Sequence, residues 1–291
     1  DGFLVTVTKN LEGISQERPV TFRIFLGQAN PNQEDKFNYG DLMVAFSKEL
    51  SKRVHLPLMK DRVIGFSWPV YGSKITQTDI EGEIAAGKGI LDTFIIDDGW
   101  ETSSGSLEID RTKFPDLAHL AQEMKNAGLE PGIWVSPFKV KDQEAKKLPP
   151  KWLMRDKNGM VQRIPLPGVA GILERSPMLD ISNPEVRAYQ IEKLTNLAKM
   201  GFKVFKADFL AVPFAGNLQN KDKTSVEYYR QFFEEWRQNV RNELGREIEI
   251  IGCGAPIMES IGLFNGMRMT PDSAFPLESF VPLASKLKAV L

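Results

Sequence analysis

The residues of this 291-residue sequence that could do chemistry are carboxylates set beside bases and aromatic rings. Asp97 and Asp98 are adjacent and followed by Gly99 and Trp100. Two neighbouring acids make a poor core pair, because buried like charges cost free energy unless something pairs with them. They suit a polyol well, since each carboxylate can accept two hydrogen bonds from neighbouring hydroxyls. Lys206 and Asp208 stand two apart in an apolar run, so on a strand they share a face. An ammonium beside a carboxylate favours the ionised acid, the state a nucleophile needs. Arg268 and Asp272 lie four apart around Pro271. An acid there, in a partly apolar pocket, would keep its proton near neutral pH and serve as general acid. Two such carboxyl groups, with further acids to hold hydroxyls, are what glycoside hydrolysis requires.

Trp68, Trp100 and Trp134 follow or end three successive apolar runs, where rings can pack on the C–H faces of a sugar. Cys253, the sole cysteine, sits between two glycines with no histidine near it, which favours a small packing residue over a nucleophile. His55 and His119 are the only histidines, too few for a multi-histidine metal site, and both read as structural or surface residues. Trp152 reads either as reaching over the pocket or as anchoring its own loop. The single cysteine excludes a disulfide framework and a cysteine-based metal cluster.

Composition narrows the partners. Hydrophobic residues make 42% and charged residues 26% of the chain, so a globular fold is expected. With 37 Lys plus Arg against 38 Asp plus Glu, the net charge of −1 offers no basic face for a nucleic acid. No apolar run reaches the roughly 18 residues a membrane span needs. The expected compartment is the cytoplasm, with secretion behind a removed signal peptide the alternative.

The elements that must position these residues recur from about residue 62 as an apolar run, a loop and an amphipathic helix. The runs are 63–66, 93–96, 131–135, 204–205 with its flanks, 248–251 and 266–269, each apolar on both faces, as strands covered by helices on both sides read. Helices are expected over 114–127, from Asn183-Pro184 to about Met200, and over 225–244. The alternation implies an α/β fold, and its repetition a (β/α)₈ TIM-type barrel. The sixth unit ends by residue 275, so the last two strands are missing from the count. Residues 1–60 read as the tail of a β-domain, with strands at 3–7 and 20–26 and a helix near 41–52, and 61–291 as the barrel. A helix-like stretch closes the chain at 283–291. The segment 137–182 reads as a long loop, a feature that is usually functional or disordered. Chemistry in a barrel gathers at the C-terminal strand ends, where the acids, bases and tryptophans above are found.

Taken in order, these strand-end motifs resemble glycoside hydrolase family 36, the α-galactosidases of the clan that also holds families 27 and 31. The stretches that carry the resemblance are Phe94 to Trp100, Lys113 to Asp116, Gly132 to Val135, Leu179 to Arg187, Lys206 to Leu210, Gly252 to Pro256 and Gly266 to Asp272. The resemblance implies a covalent nucleophile at Asp208 and an acid/base at Asp272. It implies galactose O4 and O6 contacts at Asp97 and Asp98, basic contacts at Lys206 and Arg268, pocket walls at Trp68 and Trp134, and a pocket cysteine at Cys253. Ser136-Pro137 departs from the glutamate that many relatives carry after the third strand.

The function so implied is retaining hydrolysis of terminal α-linked galactose from an oligosaccharide partner, with no metal and no organic cofactor. The alternatives are galactosyl transfer as in raffinose-synthase relatives, specificity for N-acetylgalactosamine or glucose, and a silent carbohydrate-binding protein. A homo-oligomer is left open. For a retaining enzyme the Asp208 and Asp272 carboxyl groups are expected about 5–6 Å apart.

Overall fold

The computed structural model describes residues 56–167 and 173–268. Asp272, His55, the strands and helix expected within 1–60 and the stretch 283–291 lie outside the described residues.

Six short strands build one parallel sheet: β1 (Ile64–Phe66), β2 (Thr93–Ile96), β3 (Glu130–Val135), β6 (Val204–Ala207), β7 (Glu249–Gly252) and β8 (Gly266–Met267). The pair β4 (Arg163–Pro167) and β5 (Leu173–Pro177) forms a separate antiparallel hairpin between β3 and the helix that follows it. Each strand of the main sheet is added beside the one before it, with no reversal of order. A doubly wound sheet would turn back at a switch point, whereas a barrel does not. The sheet is a curled half-barrel, as the alternating apolar runs imply.

The helices of the described residues are α1 (Trp68–Tyr71), α2 (Gln77–Gly87), α3 (Leu117–Asn126), α4 (Asp142–Ala145), α5 (Pro184–Lys199), α6 (Val212–Ala215) and α7 (Ser225–Leu244). The starts follow local chemistry. The Asn183 side chain accepts from the Glu185 amide at 2.9 Å, ahead of a proline at the first helical position. Thr224 and Glu227 close a capping box on α7, and Gly245 ends that helix in the left-handed region at φ 62°.

The inner face of α7 carries Tyr229, Phe232, Phe233 and Trp236, all fully buried. Phe205 of β6 meets Trp236 edge-on at 5.0 Å between ring centroids. With Phe205 committed outward to the helix layer, strand alternation turns Lys206 inward, and Asp208 beyond it follows the same side. The aromatic layer thus determines which way the polar end of β6 points.

The segment read as a long loop over 137–182 is instead built. It contains α4, a 3₁₀ turn at Pro150–Trp152 and the β4–β5 hairpin. A second apolar cluster of Val140, Leu148, Leu153, Leu179 and Val186 holds it together. Trp152 anchors the segment rather than overhanging a pocket, with its ring 4.9 Å from Tyr189 and its Nε1 donating to Glu185 at 2.9 Å. Among the described residues no helix is long and apolar enough to cross a membrane, and no group of three His, Cys, Asp or Glu side chains is placed to hold a metal ion.

Candidate functional site

The polar residues just beyond β1, β2, β6 and β8 converge with Trp134 of β3 at the C-terminal edge of the sheet. Asp97, whose side chain is 2% exposed, accepts from Lys206 Nζ at 2.6 Å through Oδ2 and from the Asp98 amide at 2.9 Å through Oδ1. Its own amide donates to Ser67 Oγ at 2.9 Å, tying the ends of β1 and β2 together. Asp208 accepts from Trp134 Nε1 at 3.3 Å and from the Phe209 amide at 2.7 Å. Arg268 Nη2 stands 3.9 Å from Asp208 Oδ1.

This corrects the pairing expected from spacing. Lys206 serves Asp97, and the cation that faces Asp208 is Arg268. Lys206 stands opposite Trp134 in the β3–β6 register, and its stem crosses the interior toward the more deeply buried acid. Side-chain exposure is 2% at Asp97 against 13% at Asp208, so an unpaired charge would cost more at Asp97. The Arg268–Asp272 pairing lies outside the described residues.

The tryptophans divide. Trp134 is buried with its indole N–H aimed at Asp208, and Trp68 is half-buried in the first turn of α1. Trp100 is fully enclosed and donates to the Trp134 carbonyl at 2.8 Å, so it supports the wall rather than the rim. Cys253 is buried, and burial, then the Asp208 charge, push its thiol up to about 12. A thiol so protonated packs and does not attack. The Lys113 to Asp116 motif is scaffolding. Lys113 Nζ donates to the carbonyls of Ser73, at 2.9 Å, and Gly99, and Asp116 caps α3 through the His119 amide. Gly99 has φ +125°, and a Cβ there would fall 2.8 Å from the Ser73 backbone, so no other residue fits. His119 is exposed on α3 beside Glu123.

Burial raises the Asp97 and Asp98 carboxyls above the usual carboxylate range, with Lys206 opposing at the first and Lys139 at the second. Two residues that sequence reasoning passed over belong to this neighbourhood. Lys139 is 3% exposed. Glu101 accepts from the amides of Gly105 at 3.2 Å and Leu107 at 2.6 Å, and burial, then the Asp98 charge, push it up to about 8. A lysine inside the apolar stretch Pro137 to Val140 was the available signal for the first. The second had none, since its turn closes only in the fold.

Glu101 has a measurable consequence. Its folded-state value lies above that of the unfolded chain, about 4.3, so the stability it contributes is complete below that pH. That contribution is lost as pH rises through about 8. Between those values the unfolding free energy of the parent is expected to fall relative to Glu101→Gln, by up to about 1.4 kcal/mol per pH unit. Urea melts of both proteins from pH 5 to 8.5 check this, and parallel curves would refute it.

A site of this kind, with acids to take hydroxyls, a walled carboxylate and flanking cations, suits a carbohydrate. Among solved structures the chain is similar to the α-galactosidase from Thermus thermophilus in complex with stachyose, at 26% identity and a TM-score of 0.64, over 80% of this chain and 48% of that one. The same enzyme in complex with p-nitrophenyl α-D-galactopyranoside matches at 26% identity and a TM-score of 0.64, over 79% of this chain and 46% of that one. A family 36 α-galactosidase from Geobacillus stearothermophilus shares the fold at 19% identity and a TM-score of 0.61, over 79% of this chain and 33% of that one. The chain therefore spans about half the length of the Thermus enzyme it matches. The family model that matches is that of family 31 rather than of the family 36 that the motifs resemble, and over residues 58–262 the chain belongs to the glycosyl hydrolases family 31 TIM-barrel domain.

Proposed function

We propose that this chain forms the catalytic barrel of a retaining α-galactosidase, of the family 36 kind within the wider group its domain belongs to. The observation that carries the reading is Asp208, a carboxylate at the end of β6. It is held by the Trp134 indole and the Phe209 amide and faced by Arg268 beside the Asp97–Lys206 pair. The likeness to a stachyose-bound α-galactosidase supports the choice of sugar.

In this reading Asp98 and the Lys206-paired Asp97 take the hydroxyls of a terminal galactose. Asp208 attacks C1 from the β face. The C1–O bond to the aglycone breaks, its electron pair going to the leaving oxygen, which takes a proton from Asp272. Asp272 then removes a proton from water as the water displaces Asp208, giving galactose of retained α configuration. The residues that do this are all supplied by the chain.

The test is hydrolysis of an aryl α-galactoside by this chain, with the anomer of the first product read by proton NMR. Release of α-galactose supports the reading, release of β-galactose makes the enzyme inverting, and preference for an aryl α-glucoside moves the specificity. A folded chain that binds galactose without turnover overturns it in favour of a binding protein. In a sugar-bound structure the Asp208 and Asp272 carboxyl groups are expected about 5–6 Å apart, and a gap near roughly 9 Å would contradict retention.

A further inference from the structure

Lys139 is a buried cation that the proposed reaction does not use. It lies in the segment after β3, 3% exposed, and its backbone is pinned on either side to the end of β5 and the residues just beyond it. The Val140 amide donates to the Pro177 carbonyl at 3.1 Å, and the Leu179 amide to the Phe138 carbonyl at 3.0 Å. The loop after β2 closes on it as well. Gly105 packs so tightly against the Lys139 carbonyl that a Cβ would lie 2.0 Å from the oxygen. Gly105 itself is held by Glu101, so the acid and the lysine are parts of one clamp.

The ammonium so placed donates to Ser104 Oγ at 3.0 Å and sits 4.4 Å above the Phe209 ring. Phe209 follows Asp208, donates its amide to that carboxylate at 2.7 Å, and holds the left-handed backbone at φ 55°, unusual for a residue with a side chain. Its ring also meets Trp134 edge-on at 6.4 Å. A cation over the ring therefore braces the turn that presents Asp208. The same ammonium opposes the burial that raises the Asp98 carboxyl.

An apolar side chain would fill the space over Phe209 at no desolvation cost, so a buried ammonium calls for a reason beyond packing. We propose that Lys139 is a positioning residue of the sugar site, its ammonium, bonded to Ser104 and seated over the Phe209 ring, steadying the turn that presents Asp208. This rests on the reading of Asp208 as the nucleophile.

The test uses the full chain with Lys139→Met and Lys139→Arg. In turnover of an aryl α-galactoside, Lys139→Met is expected to lower kcat about tenfold with KM little changed, because a loosened turn misplaces the attacking carboxylate rather than the bound sugar. Lys139→Arg, which keeps a cation for the ring, is expected to recover most of the loss. The turn is read apart from turnover through the Trp134 indole N–H, which donates to Asp208, its proton NMR resonance assigned by its absence in Trp134→Phe. That resonance is expected to move in Lys139→Met and to return in Lys139→Arg. If Lys139→Met does not fold, Lys139→Gln, which can still bond Ser104 but carries no charge, is read in its place. An unmoved resonance, or an unchanged kcat in an active enzyme, overturns the proposal. A moved resonance in a chain without turnover supports it while the glycosidase reading fails.

Discussion

Asp208→Ala is expected to lower turnover of an aryl α-galactoside on the order of 10⁴-fold, the scale on which a covalent nucleophile's removal is felt. Its fold should be intact, because Asp208 accepts hydrogen bonds from Trp134 and Phe209 but closes no core contact. Loss of rate alone does not separate a nucleophile from a residue that merely holds the sugar. The decisive measurement is rescue by azide. A small anion entering the space left by the carboxylate would attack C1 from the same β face and displace an activated aryl leaving group. It would leave β-galactosyl azide as a stable product, with Asp272 no longer needed for the first step. Formation of that azide identifies the face from which Asp208 acts. An α-azide, or a variant as active as the parent, would remove Asp208 from the role.

How much of this was legible in the sequence differs by level. The strands were legible because each is a short apolar run bounded by polar residues, and helices such as α7 because their period and caps agree. The 137–182 segment was not. Its apolar residues Val140, Leu148, Leu153 and Leu179 are too far apart to show a period, and they meet only through the long-range pairing with α5. At the site, residue types were legible and pairings were not. Spacing along β6 places Lys206 and Asp208 on one face, yet which acid takes the ammonium depends on the register with β3 and on relative burial, neither of which is local. Trp100 misled for the same reason. It follows two acids at a strand end, where a rim residue belongs, but its indole N–H finds the Trp134 carbonyl and draws it inside.

Lys206→Met carries the largest expected effect on stability. It leaves Asp97 2% exposed with only the Asp98 amide on its side chain, and removing one partner of a buried pair costs about 3–5 kcal/mol. In a domain of this size that is a fall of about 10 °C in Tm. The deficit should depend on pH. With the ammonium gone, only the Asp98 amide opposes the burial that already raises the Asp97 carboxyl. The folded variant then holds a proton that the unfolded chain releases near about 3.9. Its stability is therefore fullest below that value and falls as pH rises, so the gap to the parent should be wider at pH 8 than at pH 5. Adding Asp97→Asn removes the stranded charge and should restore most of the lost Tm without restoring sugar binding. Equal melting of parent and Lys206→Met across that range would show that the pair is not buried as described. A well-packed apolar pair would serve stability as well as an ion pair here. If stability returns in the double variant and binding does not, the charge at the end of β2 is retained for the ligand.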